Sequence, residues 1–485
     1  MKLVTTSFDY LDTAELFARV ADQPWAILLD SGVSARHKPL GRNTDFDVLA
    51  IQPKMTLVFD GVATDYSKGA TTKKLFGDPL AILQAAIPSI EMPEEDVPAY
   101  LPGALGYFSY DLARQFENLP AIAKDDEELP MMAMGVYSVV VVIDHKKRST
   151  SIVQLGCGAD TEAIVLLWTG FIQSVFDGVA PHGVDSDRLD QVDGAHDADT
   201  GGLLSGVLVE NVDRKTYDDN FQRVRDYTVE GDCYQVNLSK QFSTTVDGDA
   251  WLTYRYLREQ SPAPYGAFIN LPFAQILSNS PESFIQCRDA KVVTSPIKGT
   301  RPRIHHNRAA DKSQAKALAN SEKDRAENLM IVDLMRNDLS RCCELGSVDV
   351  PNLFEVHSFA NVHHLISTVT GRLRAELHAL DLLRSCFPGG SITGAPKIRS
   401  MEIIEELEPD RRGLYCGAIG YIGVDGCLET NIAIRTIVVK DGVARYSAGG
   451  GLVIDSDVES EYQELLDKAR MMTDALFNYK RPSNH

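Results

Sequence analysis

Hydrophobic and polar residues follow several distinct patterns along the chain, and each pattern predicts one kind of element. Residues 25–32 form a short apolar run that ends at a serine and a glycine, which predicts a buried strand followed by a turn. Residues 136–144 contain a run of valines and predict a second buried strand. Further strands are predicted at residues 415–424, 429–439 and 442–447.

Helical periodicity predicts helices in the second half of the chain. One helix is predicted at residues 217–230 and another at residues 323–342, before Gly346. The last helix is expected after Ser456, because Ser456 and Glu459 have the S-x-x-E spacing of a capping box. Helices mixed with apparent antiparallel hairpins indicate an α+β fold with layered packing.

A change in composition suggests how the chain is organised. Residues 176–208 are rich in Asp and Gly and are predicted to form an exposed linker. This linker separates an N-terminal region, residues 1–175, from a larger second region, residues 209–485. The two regions need not fold independently, because strands on either side of the linker can share one sheet.

Composition and charge exclude several classes of function. The chain has 485 residues, of which 44% are hydrophobic, yet no run of about 18 apolar residues predicts a membrane span. The eight cysteines lack CxxC or Cys/His ligand spacing, and no secretory signal is recognisable, so we expect a cytoplasmic protein with reduced thiols and no structural zinc. A net charge of −20 argues against nucleic acid or an anionic membrane as partner. A small anionic substrate remains open, because a few basic groups can reverse the field inside a pocket.

The first candidate for chemistry is Lys298. It follows the β-branched run 292–294, which is broken at Pro296 and Gly299, so its side chain is expected to leave the edge of a sheet. A desolvated amine can lose its proton and act as a nucleophile. Glu282 lies 16 residues earlier, a separation that suits two neighbouring strands of a hairpin and an acid/base role. From local sequence alone, an exposed glutamate at a strand end is the favoured alternative for Glu282.

Acidic residues in two predicted helices are candidate metal ligands. Glu461, Glu464 and Lys468 share one face of the last helix, although an isolated Glu464–Lys468 pair is more often only a surface ion pair. The Gly-rich segment 447–451 before this helix is expected to be a loop that approaches a ligand closely. Glu327 provides a carboxylate from another helix. Mg²⁺ needs only one or two protein carboxylates in addition to water and substrate oxygens.

Three further motifs have polar residues in apolar or glycine-rich surroundings. Arg435, in a predicted strand, requires a carboxylate partner, and a structural ion pair is as good an interpretation as a substrate contact. For His363 and His364 a hydrogen-bonding role is preferred over a transition-metal site. The loop at residues 388–397 lacks the Walker spacing, so nucleotide binding is rejected and an oxyanion cradle remains open.

Taken together, these motifs resemble those of the chorismate-utilising enzymes, which include anthranilate, aminodeoxychorismate, isochorismate and salicylate synthases. The resemblance covers most of the chain and is strongest from about residue 210 to 475, where the motifs at 295–303, 388–397 and 415–420 occur in the family order. It implies an α/β/β/α sandwich of two large antiparallel sheets with an Mg²⁺-dependent site between them.

The resemblance also implies roles for individual residues. Glu327 and Glu464 match carboxylates that bind Mg²⁺, with Glu461 close by, and Glu282 matches the general acid. The positions that hold the substrate carboxylates are matched by Tyr415, Arg435, Gly449, Gly450 and Lys468. The active-site histidine is matched by His364, and Thr300 matches a residue beside the substrate ring.

Two positions select a branch within the family. Gln235 occupies the place of a water-activating lysine in the isochorismate-forming and salicylate-forming members, so an amine is favoured over water as the nucleophile. Lys298 stands where anthranilate-forming members usually carry alanine, and this form is similar to the branch that places the amine at C4 of chorismate. The alternatives are the anthranilate-forming branch and a catalytically silent partner that only binds a glutaminase subunit.

The same resemblance implies the substrates and partners. Chorismate and ammonia would react here, and the ammonia would come from a separate glutamine amidotransferase subunit, because no Gly-x-Cys-x-Gly nucleophile turn is recognisable. Residues 28–31 resemble a segment that binds tryptophan in family members. Leu29 and Ser31 therefore mark a candidate tryptophan site, either inhibitory or structural.

Overall fold

A computed structural model of the chain describes residues 2–33, 45–90, 97–179, 203–359 and 362–477. Most of the predicted linker, residues 180–202, lies outside the described residues.

The first sheet contains 13 strands in the described part of the chain, and its neighbouring strands pair antiparallel. Its order is β1 (Leu3–Asp9), β10 (Ser149–Leu155), β9 (Val139–Asp144), β3 (Phe46–Ala50), β2 (Ala26–Asp30), β14 (Tyr265–Leu271), β15 (Ala274–Ser280), β24 (Thr436–Lys440), β25 (Val443–Leu452), β13 (Gln235–Asp247) and β11 (Leu204–Ser205). Two short strands, β12 (Val209–Glu210) and β21 (Gly394–Ala395), also pair with β13.

The second sheet contains 12 strands among the described residues and is also antiparallel. Its order is β18 (Ile297–Pro302), β20 (Val362–Arg372), β17 (Lys291–Thr294), β16 (Ser283–Arg288), β23 (Leu428–Asn431), β22 (Ala418–Gly423), β7 (Gly103–Phe108), β8 (Met132–Tyr137), β4 (Met55–Phe59), β5 (Thr64–Lys68) and β6 (Thr71–Leu75). One further strand, β19 (Asp349–Ser358), pairs with β20.

Helices cover the outer faces of both sheets. They are α1 (Thr13–Phe17), α2 (Pro79–Ala86), α3 (Ala159–Phe176), α4 (Arg214–Glu230), α5 (Ala250–Gln260), α6 (Arg308–Ala319), α7 (Glu322–Ser340), α8 (Ala379–Cys386), α9 (Lys397–Leu407) and α10 (Val458–Phe477), with 3₁₀ turns at Tyr110–Gln115 and Gly390–Ile392. None of the helices in the described ranges is long and apolar enough to cross a membrane.

The apolar core forms three layers, one between the sheets and one on the outer face of each sheet. Side chains of β2 alternate between two of them: Ile27 joins the layer between the sheets, and Leu28 joins the layer under the helices of the first sheet. Both faces of the central strands are therefore buried, as in the predicted α/β/β/α sandwich. The predicted α+β fold class is confirmed.

Both sheets draw strands from the N-terminal and the C-terminal regions. In the first sheet β2 pairs with β14, and in the second sheet β7 pairs with β22. The division into residues 1–175, 176–208 and 209–485 stays a prediction, and the shared sheets mean that its two larger parts do not have separate cores.

Two predicted strands are wrong in the same way, because the chain passes from one sheet to the other inside each of them. Residues 136–144 divide at Ser138 into β8 of the second sheet and β9 of the first. Residues 429–439 divide into β23 and β24, and Arg435 lies in the connection with φ +52°. The apolar pattern does not reveal where the chain changes sheets, because the residues before and after each crossing are buried in the same way.

The glycine-rich segment before the last helix also differs from the prediction. Residues 447–451 are not a loop but part of β25, where they pair with residues 237–241 of β13. The predicted strand at residues 442–447 therefore extends to Leu452. These glycines let the two strands lie close together, since a Cβ on Gly449 would be 2.4 Å from the Leu238 carbonyl oxygen.

The predicted helices are present, but the predicted cap of α10 is wrong. Asp457, not Ser456, accepts the hydrogen bond from the Ser460 backbone N–H at 2.9 Å. The Ser456 hydroxyl instead donates to Glu461 at 2.7 Å, and Glu459 pairs with Arg214. An aspartate is as good an N-cap as a serine, so the two neighbours compete and only the backbone geometry decides between them.

Candidate active site

A cavity of about 780 Å³ opens where strands of both sheets meet α7 and α10. It is large enough for a small-molecule substrate with water around it. Of the residues singled out in the sequence, those that line this cavity are Glu282, Lys298, Thr300, Glu327, His364, Tyr415, Arg435, Gly449, Gly450, Glu461, Glu464 and Lys468.

Lys298 projects into the cavity from β18, the edge strand of the second sheet, as predicted. Its amine donates a hydrogen bond of 3.1 Å to the Ser391 carbonyl oxygen. Burial is the main cause that lowers the pKa of Lys298, and the nearby ammonium of Lys468 acts in the same direction. The carboxylates of Glu327, Glu282 and Glu464 oppose the shift without cancelling it. A larger fraction of Lys298 is therefore the neutral, nucleophilic amine.

Glu282 is buried, so its interpretation as an exposed strand-end glutamate is wrong. Its Oε1 accepts a hydrogen bond of 2.7 Å from the Ser391 hydroxyl. Burial raises the pKa of Glu282, although Ser391, Lys298 and Lys468 favour the charged form. A carboxyl group with a raised pKa is suited to donate a proton near neutral pH.

The predicted reason for the proximity of Glu282 and Lys298 is wrong. Glu282 directly precedes β16, whose hairpin partner is β17, but Lys298 lies on β18, which pairs with β20. The two side chains meet because the chain turns at Ser295 and Pro296 and because both side chains contact Ser391.

Arg435 lies between the two sheets, in the connection from β23 to β24, and lines the cavity. Within the described ranges no carboxylate lies within 4.0 Å of its guanidinium, so the structural ion pair considered from the sequence is not found there. Burial lowers the pKa of Arg435, which reflects a desolvated charge. An anionic ligand would provide the missing partner.

Lys468 supplies a second cation to the cavity lining. Its ammonium donates to the Gly449 carbonyl oxygen at 3.0 Å and pairs with Glu464 at 2.8 Å. The ion pair weighed from the sequence is thus present, but both of its members line the cavity. Gly450 lies next to them, where a Cβ would be 3.3 Å from a carboxylate oxygen of Glu461.

His364 and Thr300 form a hydrogen-bonded pair on the neighbouring wall. The His364 Nδ1 and the Thr300 hydroxyl are 2.9 Å apart. Burial, aided by Arg435, lowers the pKa of His364 to about 4, so the imidazole is neutral at pH 7. His363 bonds instead to Ser358 and Asp311, away from the cavity lining. Both histidines therefore have the predicted hydrogen-bonding role.

The ammonium of Lys323 lies within 4.0 Å of two carboxylates, those of Glu461 and Glu327, and Glu464 acts on it electrostatically from farther away. The amine lies 3.2 Å from Glu461 and 3.9 Å from Glu327. Burial disfavours the charge of Lys323, but Glu461, Glu327 and Glu464 outweigh it and raise its pKa. In the ranges that the structure describes, no three acidic, histidine or cysteine side chains converge in the arrangement of a metal site. The carboxylates nevertheless share one cation, which is the chemistry that a divalent ion requires.

Gln235 lies close to Lys298 and to Gly451, a residue of the cavity lining. A Cβ on Gly451 would be 2.6 Å from the Gln235 Nε2 and 3.3 Å from the Lys298 amine. The amide of Gln235 is fully buried, and neither its oxygen nor its nitrogen has a hydrogen-bond partner among the described residues. A buried amide without partners is costly and leaves donors and acceptors for a small polar molecule.

Sequence reasoning missed two residues at this site, Ser391 and Lys323. Ser391 lies in the loop 388–397, for which the sequence indicated only an oxyanion cradle. The loop does reach the cavity through Ser391, whereas Lys397 turns away to Asp338 and the Cys386 carbonyl oxygen. Lys323 has the i,i+4 spacing to Glu327 and could have been found from it.

The candidate tryptophan site is separate from this cavity. Leu29 and Ser31 line a smaller pocket between the sheets of about 50 Å³. The Ser31 hydroxyl and backbone N–H both donate to Asp47, at 2.6 and 2.7 Å. An engineered apolar cavity that binds benzene has a volume of about 150 Å³, so the larger indole ring would require this pocket to widen. Tryptophan binding stays a prediction.

Comparisons with known proteins agree with this geometry. The sequence pattern of the chorismate binding enzyme family matches residues 42–474. Aminodeoxychorismate synthase component 1 of Klebsiella aerogenes is 44% identical over 464 residues, covering 94% of this chain and 95% of that protein. Anthranilate synthase component 1 of Thermus thermophilus is 36% identical over 437 residues, covering 90% of each. The crystal structure of anthranilate synthase component I from Streptococcus pneumoniae TIGR4 superposes with a TM-score of 0.77 at 32% identity, covering 91% of this chain and 95% of that one.

These matches confirm the resemblance inferred from the motifs. The family pattern spans most of the chain, and the two relatives named above, both over 30% identical, cover nine-tenths of it or more. The chain therefore belongs to the chorismate binding enzyme family.

Proposed function

We propose that the chain is an aminodeoxychorismate synthase component 1, which converts chorismate and ammonia to 4-amino-4-deoxychorismate. The observation that carries this proposal is the buried amine of Lys298, with a lowered pKa, in one cavity with the acid Glu282. Four relatives with this name, from 37% to 44% identical over most of the chain, support it.

Two cations would bind the two carboxylates of chorismate. Arg435 has a desolvated guanidinium without an acidic partner in the described chain, and Lys468 holds its ammonium against β25. Charge-assisted hydrogen bonds to carboxylates are the strong ones, so these two groups would fix the orientation of the substrate. Tyr415 and the Thr300–His364 pair would complete the wall around the ring.

In the first step the Lys298 amine attacks C2 of chorismate. A C2–N bond forms, both ring double bonds shift so that C1=C2 and C5=C6 become C1=C6 and C4=C5, and the C4–O bond breaks. Glu282 donates its proton to the departing hydroxyl, which leaves as water, and the resulting carboxylate takes the surplus proton of the lysine nitrogen.

In the second step ammonia bonds to C4, both ring double bonds shift back to C5=C6 and C1=C2, and the C2–N bond to Lys298 breaks. Glu282 returns its proton to the departing lysine nitrogen, and the new C4 ammonium group is the product amine. Two successive displacements place the amine at C4, whereas direct attack of ammonia at C2 leads toward anthranilate. The unpartnered amide of Gln235, beside Lys298, cannot act as a base and does not activate water.

Glu327, Glu461 and Glu464 would hold Mg²⁺, which would neutralise a substrate carboxylate. The Lys323 ammonium, which is half-exposed, contacts two of these carboxylates in the structure. Two carboxylates that already share one cation fit a hard ion that keeps several waters. The proposal predicts that Mg²⁺ raises the melting temperature of the wild type and not of a Glu461→Gln variant, independently of any activity.

Ammonia would come from a glutamine amidotransferase chain, since the relatives carry the designation component 1. Free ammonium salts should replace that chain in the test tube. A requirement for the partner even at high ammonium concentration would contradict the assignment of all chorismate chemistry to this chain.

The direct test is product identification with the purified chain, chorismate, Mg²⁺ and an ammonium salt. We expect a non-fluorescent product with the mass of aminodeoxychorismate, and its loss in Lys298→Ala. Fluorescent anthranilate would instead establish the anthranilate-forming branch, and no turnover would establish a catalytically silent partner. Equilibrium dialysis with tryptophan separately tests the site at Leu29 and Ser31.

A further inference from the structure

The loop that contains Ser391 joins the two reacting groups of the cavity. The Ser391 hydroxyl donates to Glu282 at 2.7 Å, and its backbone carbonyl oxygen accepts from the Lys298 amine at 3.1 Å. One residue therefore contacts the acid with its side chain and the nucleophile with its backbone.

Hydrogen bonds from other parts of the chain fix the backbone of this loop at Ile392 and Thr393. The Ile392 carbonyl oxygen accepts hydrogen bonds from Asn237 and from Arg412, both at 2.9 Å. The Asn237 backbone N–H also donates to the Thr393 carbonyl oxygen at 2.8 Å. The conformation of the loop is thus fixed by β13 and by the segment that follows α9, not by the substrate.

Packing fixes the loop from its other side as well. A Cβ on Gly390 would lie 2.5 Å from Leu334 of α7, and a Cβ on Gly389 would lie 2.7 Å from Ile432. The glycines allow the loop to lie directly against these side chains, so Ser391 has little freedom to move away from Glu282 and Lys298.

We propose that Ser391 is a positioning residue that holds the acid Glu282 and the nucleophile Lys298 in one hydrogen-bonded line for the two displacements. This inference rests on the proposed function. In the first step Glu282 becomes a carboxylate, and the hydrogen bond from Ser391 is stronger to a carboxylate than to a carboxylic acid. The serine therefore helps proton donation, while its carbonyl keeps the lysine nitrogen directed into the cavity.

Other groups also act on Glu282, and the test must separate them from Ser391. They are Lys298 on β18, Lys468 on α10, the Cys416 thiol and the Ile297 backbone N–H. All of them remain in a Ser391→Ala variant. Loss of the hydroxyl alone removes a donor to the carboxylate, so the pKa of Glu282 should rise further.

The experiment compares the wild type with Ser391→Ala and Ser391→Thr, the second of which retains the hydroxyl. Infrared difference spectra across a pH titration of the substrate-free enzyme report the protonated carboxyl band, and Glu282→Gln assigns that band. We expect the band in Ser391→Ala to titrate at least about half a pH unit higher, and kcat to fall about tenfold or more. Ser391→Thr should restore both to near the wild-type values.

The two proposals fail in different ways. A Glu282 band that titrates at the same pH in all three proteins would overturn the positioning role, as would full kcat in Ser391→Ala. If the wild type made no aminodeoxychorismate but the band still shifted, the proposed function would fall while the contact between Ser391 and Glu282 would stand. A melting temperature equal in all three proteins ensures that the comparison concerns folded enzyme.

Discussion

Replacement of Arg412 by methionine should weaken both the fold and the chemistry, because this arginine supports the Ser391 loop from inside the protein. Its guanidinium is buried and pairs with Glu408 through two bonds of 2.9 and 2.7 Å. It also donates to the carbonyl oxygens of Ile392 and Asn237, at 2.9 and 2.6 Å. Methionine has a similar length but no donor, so all four bonds are lost.

The loss in the free energy of unfolding of Arg412→Met depends on how far the carboxylate of Glu408 is left without a partner. Removing one member of a buried ion pair typically costs about 3–5 kcal/mol. Glu408 keeps the hydroxyl and the backbone N–H of Ser239 as donors, both at 2.8 Å, so we expect a cost near the lower end, about 3 kcal/mol. With an unfolding entropy of about 2.1 cal/mol/K per residue, 485 residues give a fall in Tm of roughly 3 °C.

Calorimetry and steady-state kinetics on matched variants test this reasoning. Arg411→Met is the control, since the neighbouring Arg411 makes a partly exposed pair with Asp125 and should cost at most about 1 kcal/mol. The double variant Arg412→Met/Glu408→Gln should recover part of the loss, because the uncompensated carboxylate is then gone. Equal melting temperatures for Arg411→Met and Arg412→Met, or an unchanged kcat in Arg412→Met, would refute the assigned role.

Three further changes test other parts of the site. Arg435→Gln should lower kcat/KM for chorismate by about 100-fold without lowering Tm, because it removes a buried charge that lacks an acidic partner in the described chain. A lower Tm with normal kinetics would mean that the arginine is structural. The pKa of His364 is about 4 in the folded state against 6.5 for a free histidine, so the stability that its neutral form contributes is lost as pH falls from about 6.5 to 4. Relative to His364→Gln, the free energy of unfolding of the wild type in urea titrations should therefore fall by about 3 kcal/mol between pH 7 and pH 4. Parallel pH profiles of the two proteins would contradict this. Gly449→Ala should separate β13 from β25 at a cost of about 1–3 kcal/mol and reduce activity, whereas Gly170→Ala, in an open part of α3, should gain up to about 1 kcal/mol and leave kcat unchanged.

The sequence predicted which residues share the cavity better than it predicted how they come together. Local patterns were enough to place Lys298 at a sheet edge and to put Glu461, Glu464 and Lys468 on one helix face. They were not enough for Glu282, whose burial depends on the loop at Ser391, more than 100 residues later in the chain. Long-range contacts of this kind leave no periodic signal in a single sequence.

The two wrong strands show a second limit of local patterns. At Ser138 and at Arg435 the chain leaves one sheet for the other, but residues before and after each crossing are equally buried. Because hydrophobicity reports burial and not the identity of the neighbouring strand, a crossing between two buried sheets is read as one continuous strand. The crossing at Arg435 is also what places its guanidinium in the cavity.

The most direct test of the account is the mass of Lys298 during turnover. The chain would be mixed with chorismate and Mg²⁺ without ammonia, quenched rapidly, and analysed by intact-mass and peptide mass spectrometry. We predict an adduct with the mass of chorismate minus water on the peptide that contains Lys298, absent from Lys298→Ala, which disappears on addition of ammonium as aminodeoxychorismate forms. Product formation at the normal rate with Lys298 unmodified at every time point would contradict the covalent route.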